Sequence, residues 1–180
     1  MKRTIVVTVM CVAMMLMGAH VRADAPQSRC TRIGQKWVQF NNSKDISTAF
    51  DVFTEDIVYE DVPTGAVLDG AEAFQAFAQG FFDAFPDSRF ELGQSACQGQ
   101  QGFFEWTWIA KDGRVGMDPR PGFCGTGKPF TVRGVAFIEI QGNRISRDSD
   151  FWDLATVLKQ LLMEDQKSSA CVARLVGLSK

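Results

Sequence analysis

The sequence has one histidine, His20, one tyrosine, Tyr59, and no two cysteines in a CxxC spacing. It has no run of basic residues, and beyond Met17 it has no long apolar stretch. Each absence excludes something. Without a basic run, nucleic acid and anionic membrane surfaces are excluded as partners. Without a second apolar stretch, nothing beyond the N-terminus is long enough to span a bilayer. The histidine matters most, because of where it stands.

Lys2 and Arg3 precede residues 4–17, an uncharged and mostly apolar run too short for a comfortable transmembrane helix. Small residues follow, and Val21-Arg22-Ala23 fits a signal-peptidase site. Residues 1–23 therefore read as a signal peptide cut after Ala23. A cut after Ala25 is disfavoured by Pro26, and Cys11 has no lipobox around it. The alternative, an uncleaved anchor, is argued against by the length of the run. The expected location is periplasmic or secreted, with no membrane association after cleavage. Cleavage removes His20, so Ser-His-Asp and Cys-His catalysis are excluded from the mature domain. It also removes three of the 19 basic residues, so 16 basic residues against 21 acidic ones leave a net charge of −5. Residues 24–34 read as an N-terminal lead, 35–163 as one domain and 164–180 as a tail.

Four cysteines remain after cleavage: Cys30, Cys97, Cys124 and Cys171. An even number in an oxidising compartment suggests two disulfides, with three possible connectivities. Cys30–Cys171 would tie the termini together and leave Cys97–Cys124 as the second bridge. Wide spacing and the missing histidine argue against a metal site, so none is expected. Buried free thiols are the remaining alternative.

The domain reads as helices followed by strands. Residues 32–53 have helical character, interrupted near Asn41-Asn42-Ser43, with Ile46, Phe50 and Phe53 on one helical face. Residues 57–61 alternate as a strand that places Ile57, Tyr59 and Asp61 on one side. Asp69 is placed to cap the next helix, with Glu72 completing a capping box. Phe74, Phe77, Phe81, Phe82 and Phe85 follow at helical spacing, a stripe that belongs to the core and also lines a pocket. Residues 88–97 and 103–109 read as strands, and 111–128 as a Gly/Pro-rich loop. Residues 130–140 and 144–151 read as a hairpin around Gln141-Gly142-Asn143. Asp153 caps a last helix. Helices followed by a mostly antiparallel sheet give an α+β fold, a curved sheet wrapped around the N-terminal helices as a cone, with a C-terminal helix.

Ile57-Val58-Tyr59-Glu60-Asp61-Val62-Pro63, Leu68-Asp69-Gly70, Phe85-Pro86-Asp87, Glu105-Trp106-Thr107, Arg133-Gly134-Val135 and Phe151-Trp152-Asp153 occur in an order that resembles the NTF2-like superfamily. Within it they resemble the SnoaL-like polyketide cyclase and ester cyclase group, related in fold to ketosteroid isomerase. The resemblance implies a cone that holds a small, largely apolar molecule and a cofactor-free cyclase or isomerase. Glu60-Asp61 resembles the isomerase's Glu-Asp pair, which puts Asp61 in the general-base position. That isomerase also uses an oxyanion tyrosine and a protonated aspartic acid; by spacing these fall near Trp37 and near Gly134 or Val135. In the cyclases the acid/base carboxylate falls nearest Asp150 or Asp153. Such sheets often pair back to back, so a homodimer is a possible state.

Asp61, beside Tyr59 on a strand face that enters an aromatic cone, would have a raised pKa and suit proton transfer near neutrality. Asp148 and Asp150 share a face with Trp152; Asp150 reads as a pocket acid and Asp148 as a solvated strand residue. Glu105 is a candidate second carboxylate, or else an ion-pair partner of Arg133. Trp106 and Trp108 lie on the opposite face from Glu105, and whichever face is inner lines the pocket. Trp37, Tyr59, Phe81, Arg133 and Trp152 complete the expected lining. Gly122-Phe123-Cys124-Gly125-Thr126-Gly127-Lys128-Pro129 resembles a P-loop but has Pro129 at the Mg²⁺ position and a strand next, so it is not one. A non-catalytic carrier of the same fold is the rival reading.

Overall fold

The structure is a computed structural model, and it describes residues 28–112 and 127–162. Cys124, Cys171 and most of the P-loop-like segment lie outside the described residues, as do residues 1–23, for which a signal peptide is expected.

Helix α1 spans Arg29–Ser43. The Ser28 hydroxyl accepts from the Thr31 amide at 3.1 Å and caps its start. Lys44, in the left-handed region at φ 56°, ends it by donating its amide to the Phe40 carbonyl. Cys30, Ile33, Gly34, Trp37, Phe40 and Asn41 are the buried residues, at the spacing of one helical stripe. A 3-10 turn, Ile46–Thr48, leads into a single turn of helix, α2, Ala49–Val52. Phe53 does not continue that helix. It opens strand β1, Phe53–Asp61, and pairs with Ile145 of a later strand, so the expected Ile46-Phe50-Phe53 stripe is cut short. Sheet pairing outweighs the local helical spacing there.

After β1 the chain turns at Asp61, whose carbonyl accepts the Thr64 and Gly65 amides at 3.2 and 2.9 Å. Gly65 takes φ 75°, a conformation that glycine adopts without cost. A short strand that the alternation did not reveal, β2, Ala66–Asp69, then pairs antiparallel with β1. Asp69 is its last residue and does not cap the next helix. That helix, α3, Ala71–Ala84, has Gly70 at its N-cap with no side-chain hydrogen bond. The rest of the sheet is β3 (Arg89–Gln98), β4 (Gln101–Lys111), β5 (Pro129–Gln141) and β6 (Arg144–Trp152). Helix α4, Leu154–Leu162, follows; its start is capped by Asp153, which accepts from the Thr156 amide at 2.9 Å and from the Thr156 hydroxyl at 2.6 Å.

The strand order is β2-β1-β6-β5-β4-β3. All neighbours are antiparallel except β1 and β6, which run parallel. On β4 and β5 the even-numbered residues face the helices: Phe104, Trp106, Trp108, Phe130, Val132, Ala136 and Ile138 are all buried. Rings of α1, β1 and α3 join them; Phe40 contacts Phe53, Phe74 and Phe82 at 5.6, 6.2 and 5.4 Å between centroids.

Cys30 is bonded to Cys97, tying the first turn of α1 to the end of β3. This corrects the expected Cys30–Cys171 and Cys97–Cys124 pairs: once α1 lies across β3, the partner within reach is the strand cysteine, at a Cα separation of 5.6 Å. The bridge joins residues 67 positions apart, long enough to restrict the unfolded chain strongly. Cys97→Ser is expected to cost about 2–4 kcal/mol of unfolding free energy, read by urea titration under oxidising conditions. A variant as stable as the parent would show that the bridge adds nothing.

Candidate functional site

The parallel pairing of β1 with β6 builds the site. It sets Asp61 beside Asp150 and Tyr59 beside Asp148. In such a pair neighbours share a face about 4.8 Å apart. That face is the inner one. Asp148 is fully buried, and Asp150 and Asp61 are 4% and 7% exposed.

An isolated buried carboxylate is costly, and the usual remedy is a cation. Here the donors are neutral. The Trp106 indole donates to Asp150 Oδ1 at 2.9 Å, and the Tyr59 hydroxyl donates to Asp150 Oδ2 at 3.1 Å. The Trp152 indole donates to Asp61 Oδ1 at 2.8 Å. The Trp37 indole donates to Asp148 Oδ2 at 3.0 Å, while Asp148 Oδ1 has no partner. Of the four tryptophans only Trp108 keeps a buried Nε1 without an acceptor. Its ring is packed by Phe81, Phe85, Phe130 and Trp152 at 5.2, 5.0, 4.7 and 6.0 Å.

Neutral donors offset desolvation only in part. Burial pushes Asp150 up to about 7, against the hydrogen bonds from Trp106 and Tyr59, and the charge of Asp61 adds to the rise. Burial, then the neighbouring Asp150, holds Asp148 well above the carboxylate range. Burial also raises Asp61, opposed by hydrogen bonds from Thr64 and Trp152. Tyr59 is raised well above its ordinary value by burial and by the carboxylates around it. The site therefore holds one acid poised near neutrality, two others shifted the same way, and donors that keep their protons. Among the described residues no three His, Cys, Asp or Glu side chains converge as metal ligands.

Most of the expected site residues meet in this cluster: Asp61, Asp150, Trp37, Tyr59, Trp106 and Trp152, with Trp108 and Phe81 packed beside them. Glu105 and Arg133 do not. Odd positions of β4 and β5 face outward, and the two pair with each other there at 3.4 Å. Glu60 is likewise outside, held by Arg147 at 3.2 Å and Ser149 at 3.0 Å. Asp148, expected in solvent, is instead inside the cluster. Its shared parity with Trp152 is the signal that could have placed it, since an inward indole at 152 requires an inward carboxyl at 148. A polar depression of roughly 400 Å³, lined by Gln100, Gln101, Glu139, Ile140, Gln141 and Ser146, lies at the hairpin-turn end of the sheet. Its nearest lining residue on β5, Glu139, is three residues along the strand from Ala136, the partner of Asp150, and on the outward parity, and none of the site residues lines it.

Four helices, among the described residues, against an open, curved six-stranded sheet with carboxylates on its inner face define an NTF2-like α+β cone. The chain belongs to the SnoaL-like polyketide cyclase family, whose model matches residues 31–161. Solved structures agree on the fold. TsrD from Streptomyces laurentii is 16% identical with a TM-score of 0.63, over 77% of this chain and 98% of its own. IdmH from Streptomyces antibioticus is 20% identical with a TM-score of 0.62, over 73% of this chain and 96% of its own. A protein of ketosteroid isomerase-like fold from Catenulispora acidiphila, solved in complex with trimethylamine, is 18% identical with a TM-score of 0.61, over 73% of this chain and 93% of its own. None of the curated proteins matches the sequence.

The raised acids make stability depend on pH. An acid whose folded pKa lies above its unfolded value near 3.8 stabilises the fold below that value, and this contribution is lost as pH rises through the folded pKa. For Asp150 the loss runs from about pH 4 to about 7. Asp150→Asn, which keeps an acceptor for the Trp106 indole, is expected to be more stable than the parent at pH 8, by about 2–4 kcal/mol, and to flatten that part of the profile. Urea midpoints measured from pH 4 to 8 check it; parallel profiles would show that Asp150 titrates normally.

Proposed function

We propose that this is an exported, cofactor-independent acid/base catalyst of the cyclase or isomerase type. Its substrate is a small, largely apolar molecule with an acidic C–H next to a carbonyl. The observation that carries the reading is the register of Asp61 beside Asp150, two buried carboxylates on one inner face with raised pKa values. Asp61 is the proton acceptor: one oxygen takes the Trp152 indole, and the residue stands at the end of β1 next to the turn. Asp150, held at both oxygens, is the partner that stores or returns the proton. Aromatic rings on α3 and β4 favour flat apolar ligands. The export part of the proposal is supported by the charged, apolar and small-residue order of residues 1–23.

A carrier of the same fold is the second reading. It is favoured by the enclosure of Asp150, which is 4% exposed and already holds a protein donor at each oxygen. The two readings separate on a simple ketone. Proton exchange at the α-carbon of 2-tetralone in D₂O, followed by NMR, is expected to be accelerated by the protein. Asp61→Asn is expected to lower the rate about a hundredfold or more. Equal rates for variant and parent, or no acceleration by the parent, would leave the carrier.

The proposal includes a homodimer through the outer sheet face. Phe137 and Phe151 are 52% and 42% exposed there, with their rings 5.6 Å apart, and the Glu105–Arg133 pair lies on the same face. An apolar centre with a charged rim is the anatomy of an interface. Phe137→Glu is expected to yield a monomer in sedimentation velocity; a monomeric parent would remove the dimer from the proposal.

A further inference from the structure

Trp106 lies on β4 and Asp150 on β6, with β5 between them. An indole can reach from one to the other only if the strand between leaves room. The register sets Gly134 of β5 opposite both Trp106 and Trp152. A Cβ built on Gly134 would lie well inside contact distance of Trp106 Cζ2 and Cη2. The ring therefore occupies the place where a side chain at 134 would stand. It is fixed there from the other side: Trp37 stacks on it at 6.1 Å and 19°, and Phe90 meets it edge-on at 5.7 Å. Trp106 is only 3% exposed, so it has no open space into which to retreat. Gly134 carries an ordinary strand conformation and is absent from the glycines of positive φ. Its value lies in having no side chain, and not in its backbone freedom.

We propose that Gly134 is a positioning residue of the site: its missing side chain seats the Trp106 ring across β5 and so delivers the indole N–H to Asp150. This is also the position at which the isomerase resemblance places an acid near Gly134 or Val135. Here a neighbouring strand's indole fills the space, so the chain meets Asp150 with a donor that never ionises. The inference rests on the reading of Asp150 as a working group, but its test needs no turnover.

The Cβ of an alanine would also lie 2.8 Å from the Phe151 carbonyl oxygen, so Gly134→Ala has a cost in stability apart from the ring. Two readouts keep the effects apart. The titration of Asp150 is followed by carboxyl ¹³C NMR, and thermal unfolding is recorded alongside. Trp106→Phe, which removes both the N–H and the outer ring atoms, is expected to raise the Asp150 midpoint by about one pH unit, the loss of one hydrogen bond to a charged acceptor. Gly134→Ala is expected to raise it by a similar amount. The double variant is expected to match Trp106→Phe alone in midpoint while still melting lower, a non-additivity that follows from the shared ring. A Gly134→Ala variant that unfolds while the double variant folds would support the seat equally. An unchanged midpoint in Gly134→Ala, a further shift when alanine is added to the Trp106→Phe background, or failure of both alanine variants to fold would overturn it. If 2-tetralone exchange is absent from the parent while these midpoints move as stated, the catalytic reading fails and the seat stands.

Discussion

The inner face of β1 and β6 carries three carboxylates whose side-chain donors are all neutral: indoles, a phenol and, at Asp61, the Thr64 hydroxyl. Most of the interior can be understood from that arrangement. A buried carboxylate needs donors, and a cation would hold it ionised and inert near neutrality. An indole gives one hydrogen bond and no charge. It satisfies the oxygen while leaving desolvation free to raise the pKa, which is the balance at Asp150. The rings also bring area: Trp37 and Trp106 pack on each other and on Phe90 while their N–H groups reach different carboxyls. One residue type thus supplies both the apolar wall and the polar contact.

The fold serves this by bringing distant segments to one place. Trp37 comes from α1, Tyr59 and Asp61 from β1, Trp106 from β4, and Asp148, Asp150 and Trp152 from β6. The parallel β1–β6 pair is the only one of its kind in the described sheet, and it aligns the carboxylates side by side. An antiparallel hairpin with β2 closes the outer edge of β1, and the Val62 amide, just past β1, donates to the Asp150 carbonyl at 3.1 Å. The end of β1 where Asp61 sits is therefore tied on both sides. Cys30–Cys97 anchors α1 over β3 at the other side of the sheet.

Much of this is legible in the residues. Helical and strand periodicity locates α1, α3 and the four long strands of the second half, and Glu60-Asp61 points at the site. What fails shares a cause: each element depends on a partner far along the chain. Phe53 has helical spacing from Ile46, yet pairing with Ile145 makes it a strand residue. The cysteine spacings permit three connectivities, and only the placement of α1 across β3 selects Cys97. Glu105 and Trp106 alternate plainly, but alternation does not say which side is inside. That choice sends Glu105 to Arg133 on the outer face and brings Trp106 into the core. Gly134 is marked in the sequence only as the place where the isomerase's acid would fall, and its contact with the Trp106 ring is not, because that ring reaches it from the neighbouring strand.

The lack of histidine among the described residues acquires a physical meaning from the same cluster. Tryptophan does not titrate in the biological range, and Tyr59 is pushed further from it by burial and its carboxylate neighbours. Within the cluster, a proton can therefore reside only on Asp61, Asp148 or Asp150. Asp148 is raised by burial and then by its neighbour Asp150, and one of its oxygens has no partner. Were it ionised, the adjacent Asp150 would be driven higher still. In the proposed reading Asp61 and Asp150 are the pair between which charge moves, one at the end of a strand and one enclosed. In that reading the carboxylate pair needs no imidazole near neutral pH: burial, with the charge of Asp61 beside Asp150, supplies the shift in pKa that histidine would otherwise bring.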